Sequence, residues 1–289
     1  MQKGWHPDKA LFFMKETMLL AAVRSTAIPR RCCNKSRLKS LPSSMLKPFN
    51  ILLYLTIFFV MSSGCSKTEV GAPAANMSEY YPLQVGKYIT YRLDSTVYIN
   101  LNTTKVVRTY MVQDKIDAIV KDNLGNDAYR IRRTMRSNTD TTVWTDNATF
   151  LVIPSLRKTE FIENNLRFIK LINPVRDFTT WQGNSQINVL NGFLRFYENW
   201  EYFYEKTGDP FSVNNRNFPE TVTVNHIDEV EGTPGDNRFF YEITRSSEVY
   251  AKGVGLIYKD FFHESWQPVT ANFEPNSYGV RLTILNHNF

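Results

Sequence analysis

Between residues 88 and 97 apolar and polar side chains alternate: Ile89, Tyr91, Leu93 and Val97 fall on one face, Thr90, Arg92, Asp94 and Thr96 on the other. A period of two is that of a strand with one face buried. Residues 100–104 then read as a turn and residues 106–120 as the returning strand. Asp122-Asn123-Leu124-Gly125-Asn126 supplies the next turn, because Gly and Asn tolerate the backbone angles that tight turns require. Tyr129, Ile131, Arg133 and Met135 alternate against Arg130, Arg132, Thr134 and Arg136, which predicts a third strand of a meander.

The pattern continues through residues 141–145 and 149–153, then through a hairpin that joins 158–162 to 166–172 across Glu163-Asn164-Asn165. Later strands are predicted over 220–227, 238–244, 255–262 and 278–285. One stretch breaks the rule. Phe193, Phe196, Tyr197, Trp200, Phe203 and Tyr204 are spaced like one face of a helix, whereas Trp200, Tyr202 and Tyr204 also alternate. The reading is a short helix or loop as far as Asn199 and a strand over 200–206. Short strands joined by short turns predict an all-β, mainly antiparallel fold, either a sandwich or a half-barrel, with one or two short helices.

The N-terminal region has a different pattern. Residues 51–61 (ILLYLTIFFVM) form an apolar run preceded by Lys47 and followed by Ser62-Ser63-Gly64-Cys65. Eleven helical residues span about 16 Å, too short for a bilayer core of about 30 Å, so the run is the core of a signal peptide. Small residues ending in Gly-Cys mark a lipoprotein-type cleavage site, which makes the Cys65 thiol the nucleophile that takes up a diacylglyceryl group. Met45 opens a signal peptide of ordinary length, so residues 1–44 are read as an over-extended start or a disordered leader; an Arg-rich targeting peptide is the alternative. The chain thus divides into 1–44, a signal peptide over 45–64, a flexible tether over 65–79, and a single antiparallel β-domain over 80–289.

This division changes the meaning of the charge. The whole chain carries +6, which on its own suggests nucleic acid or an acidic surface. Yet ten of the 34 basic residues and only two of the 28 acidic ones precede Cys65, leaving 24 against 26 and a net of −2 after it. No nucleic-acid partner is expected. The run Arg130, Arg132, Arg133, Arg136 reads as a solvated or edge-protecting strand face. Cys32 and Cys33 also lie upstream, so the mature chain keeps one thiol and forms no disulfide. The 43% hydrophobic and 21% charged composition excludes wholesale disorder, and the 14% aromatic content suits β-structure.

Four stretches carry a likeness: residues 80–91 (YYPLQVGKYITY), 218–230 (FPETVTVNHIDEV), 248–259 (EVYAKGVGLIYK) and 278–285 (YGVRLTIL). With the lipobox Cys65, the sequence resembles a family of uncharacterised lipoproteins from Bacteroidota. The resemblance implies an antiparallel β-domain behind a lipidated Cys, in the cell envelope at the outer membrane, facing the periplasm or the surface. It implies no reaction and no catalytic residue.

Candidate chemistry is sparse. His226, His263 and His287 are the mature-chain histidines; they lack an H-E-x-x-H arrangement and are expected at the surface or at strand ends. Neither a metal site nor a cofactor is predicted. Asp228, Glu229 and Glu231 read as a solvated loop before Gly232-Thr233-Pro234-Gly235. Gly253 and Gly255 are expected to form a tight turn. Trp200, Tyr202, Tyr204, Phe239 and Tyr241 are the candidates for a ligand groove, with core packing as their ordinary role. Asp94-Ser95-Thr96 and Asp140-Thr141-Thr142 resemble short O-glycosylation acceptors at Ser95 and Thr141. The functional expectation is a non-catalytic, lipid-anchored envelope lipoprotein that contacts the membrane through acylated Cys65 and binds an envelope protein or glycan. A lipid or lipoprotein carrier with an apolar half-barrel groove, and a hydrolase built on His226 or His263, are the alternatives.

Overall fold

The computed structural model describes residues 75–122, 124–139 and 143–289. The predicted signal peptide, the predicted lipidation site Cys65 and the predicted acceptor Thr141 lie outside the described residues. A single α-helical turn, α1 (Met77–Tyr80), precedes the strands β1 (Tyr88–Ile99), β2 (Thr104–Lys121), β3 (Asp127–Ser137), β4 (Thr145–Pro154), β5 (Lys158–Glu163) and β6 (Leu166–Ile172). After β7 (Thr180–Trp181) comes a 3₁₀ turn over Gly192–Tyr197, and then β8 (Tyr202–Glu205), β9 (Phe211–Val213), β10 (Arg216–Phe218) and β11 (Thr221–Gly232). The chain closes with β12 (Tyr241–Ala251), β13 (Gly255–Gln267), β14 (Asn272–Phe273) and β15 (Tyr278–His287).

Thirteen strands form one sheet in the order β6-β5-β4-β3-β2-β1-β15-β13-β12-β11-β8-β7, with β14 beside β13, while β9 and β10 form a separate hairpin. The sheet curls until its two ends meet. The Ile169 N–H of β6 donates to the Gly183 carbonyl just beyond β7 at 2.8 Å, and the Trp181 indole N–H donates to the Ile169 carbonyl at 2.8 Å. The Tyr204 hydroxyl donates to the Ile172 carbonyl and accepts from the Ile172 N–H, both at 2.7 Å. Gly183 is needed here, because a Cβ at that position would lie 2.3 Å from the Tyr202 ring. The architecture is therefore a nearly closed antiparallel barrel, the half-barrel of the two predicted arrangements.

Several expectations need correction. Residues 75–79, read as part of the tether, belong to the folded unit: Ala75 bridges to Val175, Asn76 caps α1 by accepting from the Ser78 N–H, and Met77 and Tyr80, each 2% exposed, plug the barrel core. A pair at i and i+3 shares one helix face, which hides a four-residue signal inside a small-residue tether. The predicted break between residues 145 and 149 is absent, because β4 runs through it, and residues 143–144 carry no strand. Asp228, Glu229 and Glu231 belong to β11, which continues to Gly232 rather than ending in a loop. The β9–β10 hairpin gave no alternation signal, being two strands of three residues each.

Three apolar clusters fill the structure. The largest joins Phe168 and Leu171 of β6 to Trp200, Tyr202, Tyr204, Val222, Val224, Tyr250 and Phe261, with Met77, Tyr80, Val175, Ile187, Leu194 and Tyr197 from the helical turns and the β6–β8 connection. Burying side chains of this size is worth about 1.5–3 kcal/mol each. A second cluster sets Phe218 of β10 against Ile89, Val249, Ala251 and Ile257. The third holds Ile116, Ile131, Phe150 and Val152 of the meander. At the β12–β13 turn Gly253 (φ +76°) and Gly255 (φ +109°) adopt the left-handed backbone that glycine permits, as expected from their spacing.

Candidate functional site

Lys170 lies on β6, two residues beyond the buried Phe168 and in phase with it, so strand alternation turns its side chain inward. Glu248 does the same on β12, in phase with Tyr250. These strands stand eight places apart in the sheet order, yet the Lys170 Nζ donates to Glu248 Oε1 at 2.7 Å. Only a curled sheet allows that contact. The two side chains are 9% and 2% exposed. The other Glu248 oxygen accepts from the Tyr250 hydroxyl at 2.5 Å, and Lys259 Nζ stands 3.7 Å from Oε1 and 4.0 Å from Glu163 Oε2. Burial raises the Glu248 pKa, but Lys170, His226 and Lys259 outweigh it and hold the carboxyl below the ordinary carboxylate value. Burial lowers the Lys170 pKa, with the Glu248 charge opposing.

His226 sits in this network at a bulge of β11. Its Nδ1 lies 2.8 Å from Ser246 Oγ, its ring stacks on Tyr202 with centroids 3.9 Å apart, and its Nε2 is 3.7 Å from Glu248 Oε2. The trio Ser246, His226, Glu248 has the composition of a nucleophile, a base and an orienting carboxylate. Its geometry does not work as one. A separation of 3.7 Å is not a hydrogen bond, and both Glu248 oxygens already have donors. Burial, with Lys170 and Lys259 adding to it, lowers the His226 pKa to about 3 despite Glu248, so the imidazole is too weak a base near neutral pH.

His263 repeats the arrangement one strand on the other side of β12. Its Nδ1 lies 2.9 Å from Thr244 Oγ1, its ring stacks on Phe196 at 4.1 Å, and burial lowers its pKa to about 4. Neither His226 Nε2 nor His263 Nε2 has a hydrogen-bond partner. Two neutral imidazoles, each stacked on an aromatic ring and tied to a hydroxyl of β12, act as core-filling side chains. Both were expected at the surface or at strand ends. They are 2% and 0% exposed, because β13 continues past residue 262 and makes His263 a mid-strand position, and the β11 bulge turns His226 inward.

A cleft of about 510 Å³ opens beside this network, lined by Trp200, Phe203, His226, Asp228, Arg245 and Asp260 among others. Strand β8 pairs with β11 only along Thr223, Val224 and Asn225. Beyond the bulge, residues 227–232 therefore present a strand edge with no β-partner on that side among the described residues. The edge is acidic, carrying Asp228, Glu229 and Glu231, all exposed. Glu242 next to it has a pKa raised by burial and by Glu231, Glu229 and Glu274, which registers a local excess of negative charge. A second cavity of about 470 Å³ lies between the β9–β10 hairpin and the β12–β13 turn, lined by Arg216, Phe218, Glu220, Lys252 and His287. Lys252 is already bound to Glu220 at 2.7 Å and Glu79 at 3.2 Å.

The five groove candidates do not assemble. Trp200, Tyr202 and Tyr204, at 2%, 1% and 0% exposed, are buried in the main core, with Trp181 and Tyr204 centroids 4.7 Å apart. The Tyr202 hydroxyl donates to Asn184 Oδ1 at 2.7 Å. Tyr241 is buried elsewhere, its hydroxyl 3.3 Å from Glu264 Oε1, and Phe239 is 59% exposed under the Arg238 guanidinium. Closure of the sheet buries rings that a one-layer half-barrel would leave lining a groove. Of the two readings of the arginine run, edge protection is corrected, because β3 is flanked by β2 and β4, whereas Arg132 is solvated, with its side chain 50% exposed. Arg130 pairs with Asp117, Arg132 with Asp146 and Arg133 with Asp114. Ser95 lies mid-strand, paired with Val280 and Arg108 on either side, which is a poor place for a glycan.

Fold and site together define an antiparallel β-barrel whose filled interior carries a buried ion-pair network and whose wall has one acidic free edge. No protein-family model matches the sequence, and no curated protein matches it. Among solved structures the chain is similar to a protein from Bacteroides fragilis described as a "putative exported protein with YmcC-like fold". The likeness has a TM-score of 0.32 and 12% identity, and covers 74% of this chain and 100% of the other. A likeness this low transfers neither fold nor function.

Proposed function

We propose that the chain is a non-catalytic, lipid-anchored lipoprotein of the cell envelope, akin to the Bacteroidota lipoproteins it resembles, and that it binds an extended basic polypeptide along the free edge of β11. The observation that carries the binding role is that edge: residues 227–232 offer main-chain donors and acceptors beside an open cleft, the requirement for adding a strand to a sheet. Asp228, Glu229 and Glu231 set the charge of the partner. Anchoring at Cys65 rests on the eleven-residue apolar core and the Ser-Ser-Gly-Cys that follows it. A lipid carrier loses its support because Trp200, Tyr202 and Tyr204 are packed against one another. A hydrolase loses its support because the Ser246, His226, Glu248 trio is a closed structural network.

An alternating Lys-Val octapeptide is the probe, with hydrogen exchange and titration calorimetry as readouts. The amides of residues 227–232 should become protected, and binding should weaken with salt. Reversing Asp228→Lys, Glu229→Lys and Glu231→Lys together should abolish binding of that peptide and create binding of its Glu-Val counterpart. Protection elsewhere, or indifference to the reversal, would overturn the assignment.

A further inference from the structure

The described chain begins at one end of the barrel, and the residues around that point have an unusual composition. Val175 donates its N–H to the Ala75 carbonyl at 3.0 Å, and the Asn173 N–H donates to the Arg157 carbonyl at 2.9 Å. The Asn173 side chain joins the two neighbours, accepting from the Met77 N–H and donating to the Leu156 carbonyl, each at 2.9 Å. Leu156, at the tip of the β4–β5 turn, is 92% exposed, and Phe178, three residues after Val175, is 79% exposed. Phe178 is also held at φ +63°, a conformation that is costly for a bulky side chain, and here it delivers the ring to solvent rather than into a core.

Three exposed cations share the rim: Arg157 beside Leu156, Arg176 at the start of the Phe178 turn, and Lys206. Lys206 is brought there because the Thr207 N–H donates to Asp177 Oδ1 at 2.8 Å. None of the three is in an ion pair among the described residues. Exposed apolar tips among unpaired cations are the chemistry of an anionic lipid interface. The position agrees. Ala75 is ten residue steps from Cys65, so the rim stays within about 36 Å of an acylated Cys65. Strand β1 leads away from this end for 12 residues, about 40 Å, and carries Leu101, itself 90% exposed, to the far end.

We infer that this rim, with Leu156 and Phe178 as apolar tips and Arg157, Arg176 and Lys206 as cations, is a lipid-contacting face that stands the barrel end-on upon an anionic membrane surface. The inference rests on anchoring at Cys65 and adds an orientation to it. The test uses the mature chain extracted from membranes, its acyl mass confirmed first, in nanodiscs of phosphatidylcholine with 30% phosphatidylglycerol. An environment-sensitive dye is placed on Leu156→Cys in one sample and on Leu101→Cys in another; the acylated Cys65 does not compete for label. Lipid nitroxides should quench the dye at 156 at least about threefold more than at 101. The combination Arg157→Glu, Arg176→Glu, Lys206→Glu should erase the difference. Equal quenching at the two sites, or a difference that persists in purely zwitterionic discs, would overturn the inference. A missing acyl mass would instead refute the anchor. The unacylated Cys65→Ser chain covers that case: it should sediment with the same anionic lipids as vesicles in a salt-sensitive way, lost on the triple reversal, and failure to sediment in low salt would count against the rim.

Discussion

The exposed charges of β3 and the charges of the barrel interior are made of similar side chains and do different work. On β3, Arg132 meets Asp146 from the adjacent strand, with both side chains at least half exposed, and water screens the pair. Lys170 and Glu248 meet across the interior, buried and far apart in the sheet order. The first pair follows from neighbouring strands lying in register. The second exists only once the sheet has closed, and it fastens β6 to β12 where no backbone ladder joins them. Removing a partner from a buried pair leaves an uncompensated charge, whereas removing one from an exposed pair leaves a solvated side chain.

The sharpest way to break this contrast is to take away one interior charge. Lys170→Met should destabilise the fold by about 3–5 kcal/mol in urea unfolding. Combined with Glu248→Gln it should cost less than it does alone, since the carboxylate that Lys170 neutralised is then gone as well. A single variant that unfolds like the parent would remove the network from the stability of the barrel.

Acid should attack the interior next. His226 and His263 have folded pKa values lowered to about 3 and about 4 from 6.5, so the unfolded chain binds more protons than the folded one below pH 6.5. Stability is then fully present above pH 6.5 and falls as pH drops toward 3–4. The slope approaches about 1.36 kcal/mol per pH unit per group below the unfolded pKa, so the two together remove about 3 kcal/mol between pH 6.5 and 5. Glu248, with a lowered carboxylate pKa, adds its own loss only below about pH 4.5. Replacing His226→Phe and His263→Phe should flatten the slope above pH 5; an unchanged slope would assign it to other groups.

Ser246→Ala separates a structural hydroxyl from a nucleophile. It leaves His226 Nδ1 without a partner and should cost about 1–3 kcal/mol, while the parent protein should not be labelled at Ser246 by a fluorophosphonate. Labelling there would revive the hydrolase reading. The smallest effect is expected on β3, where Arg132→Gln should change stability by no more than about 1 kcal/mol and only in low salt.

Alternation made most of the strands readable, and it even marks Lys170 and Glu248, because each is a charge in the phase of buried neighbours. That signal identifies an inward charge but not its partner. The aromatic candidates show the same limit from the other side. Trp200, Tyr202 and Tyr204 read first as core and second as a groove, since both put rings on one face of a strand. The acids of β11 read as a loop because polar exposed residues occur in loops and on free strand edges alike.

By itself the sequence determined what is local: the two-residue period, the turns at Asn164-Asn165 and Gly253, the short apolar run before Cys65, and the sign reversal of charge after it. Each depends on residues a few positions apart along the chain. Tertiary structure alone decided that β6 closes against β7, that Lys170 finds Glu248, that His226 and His263 become neutral, and that β8 stops short and leaves the β11 edge open. Those outcomes depend on how far a thirteen-stranded sheet curls. Curvature accumulates from the twist between every pair of strands, so no segment of the sequence carries it.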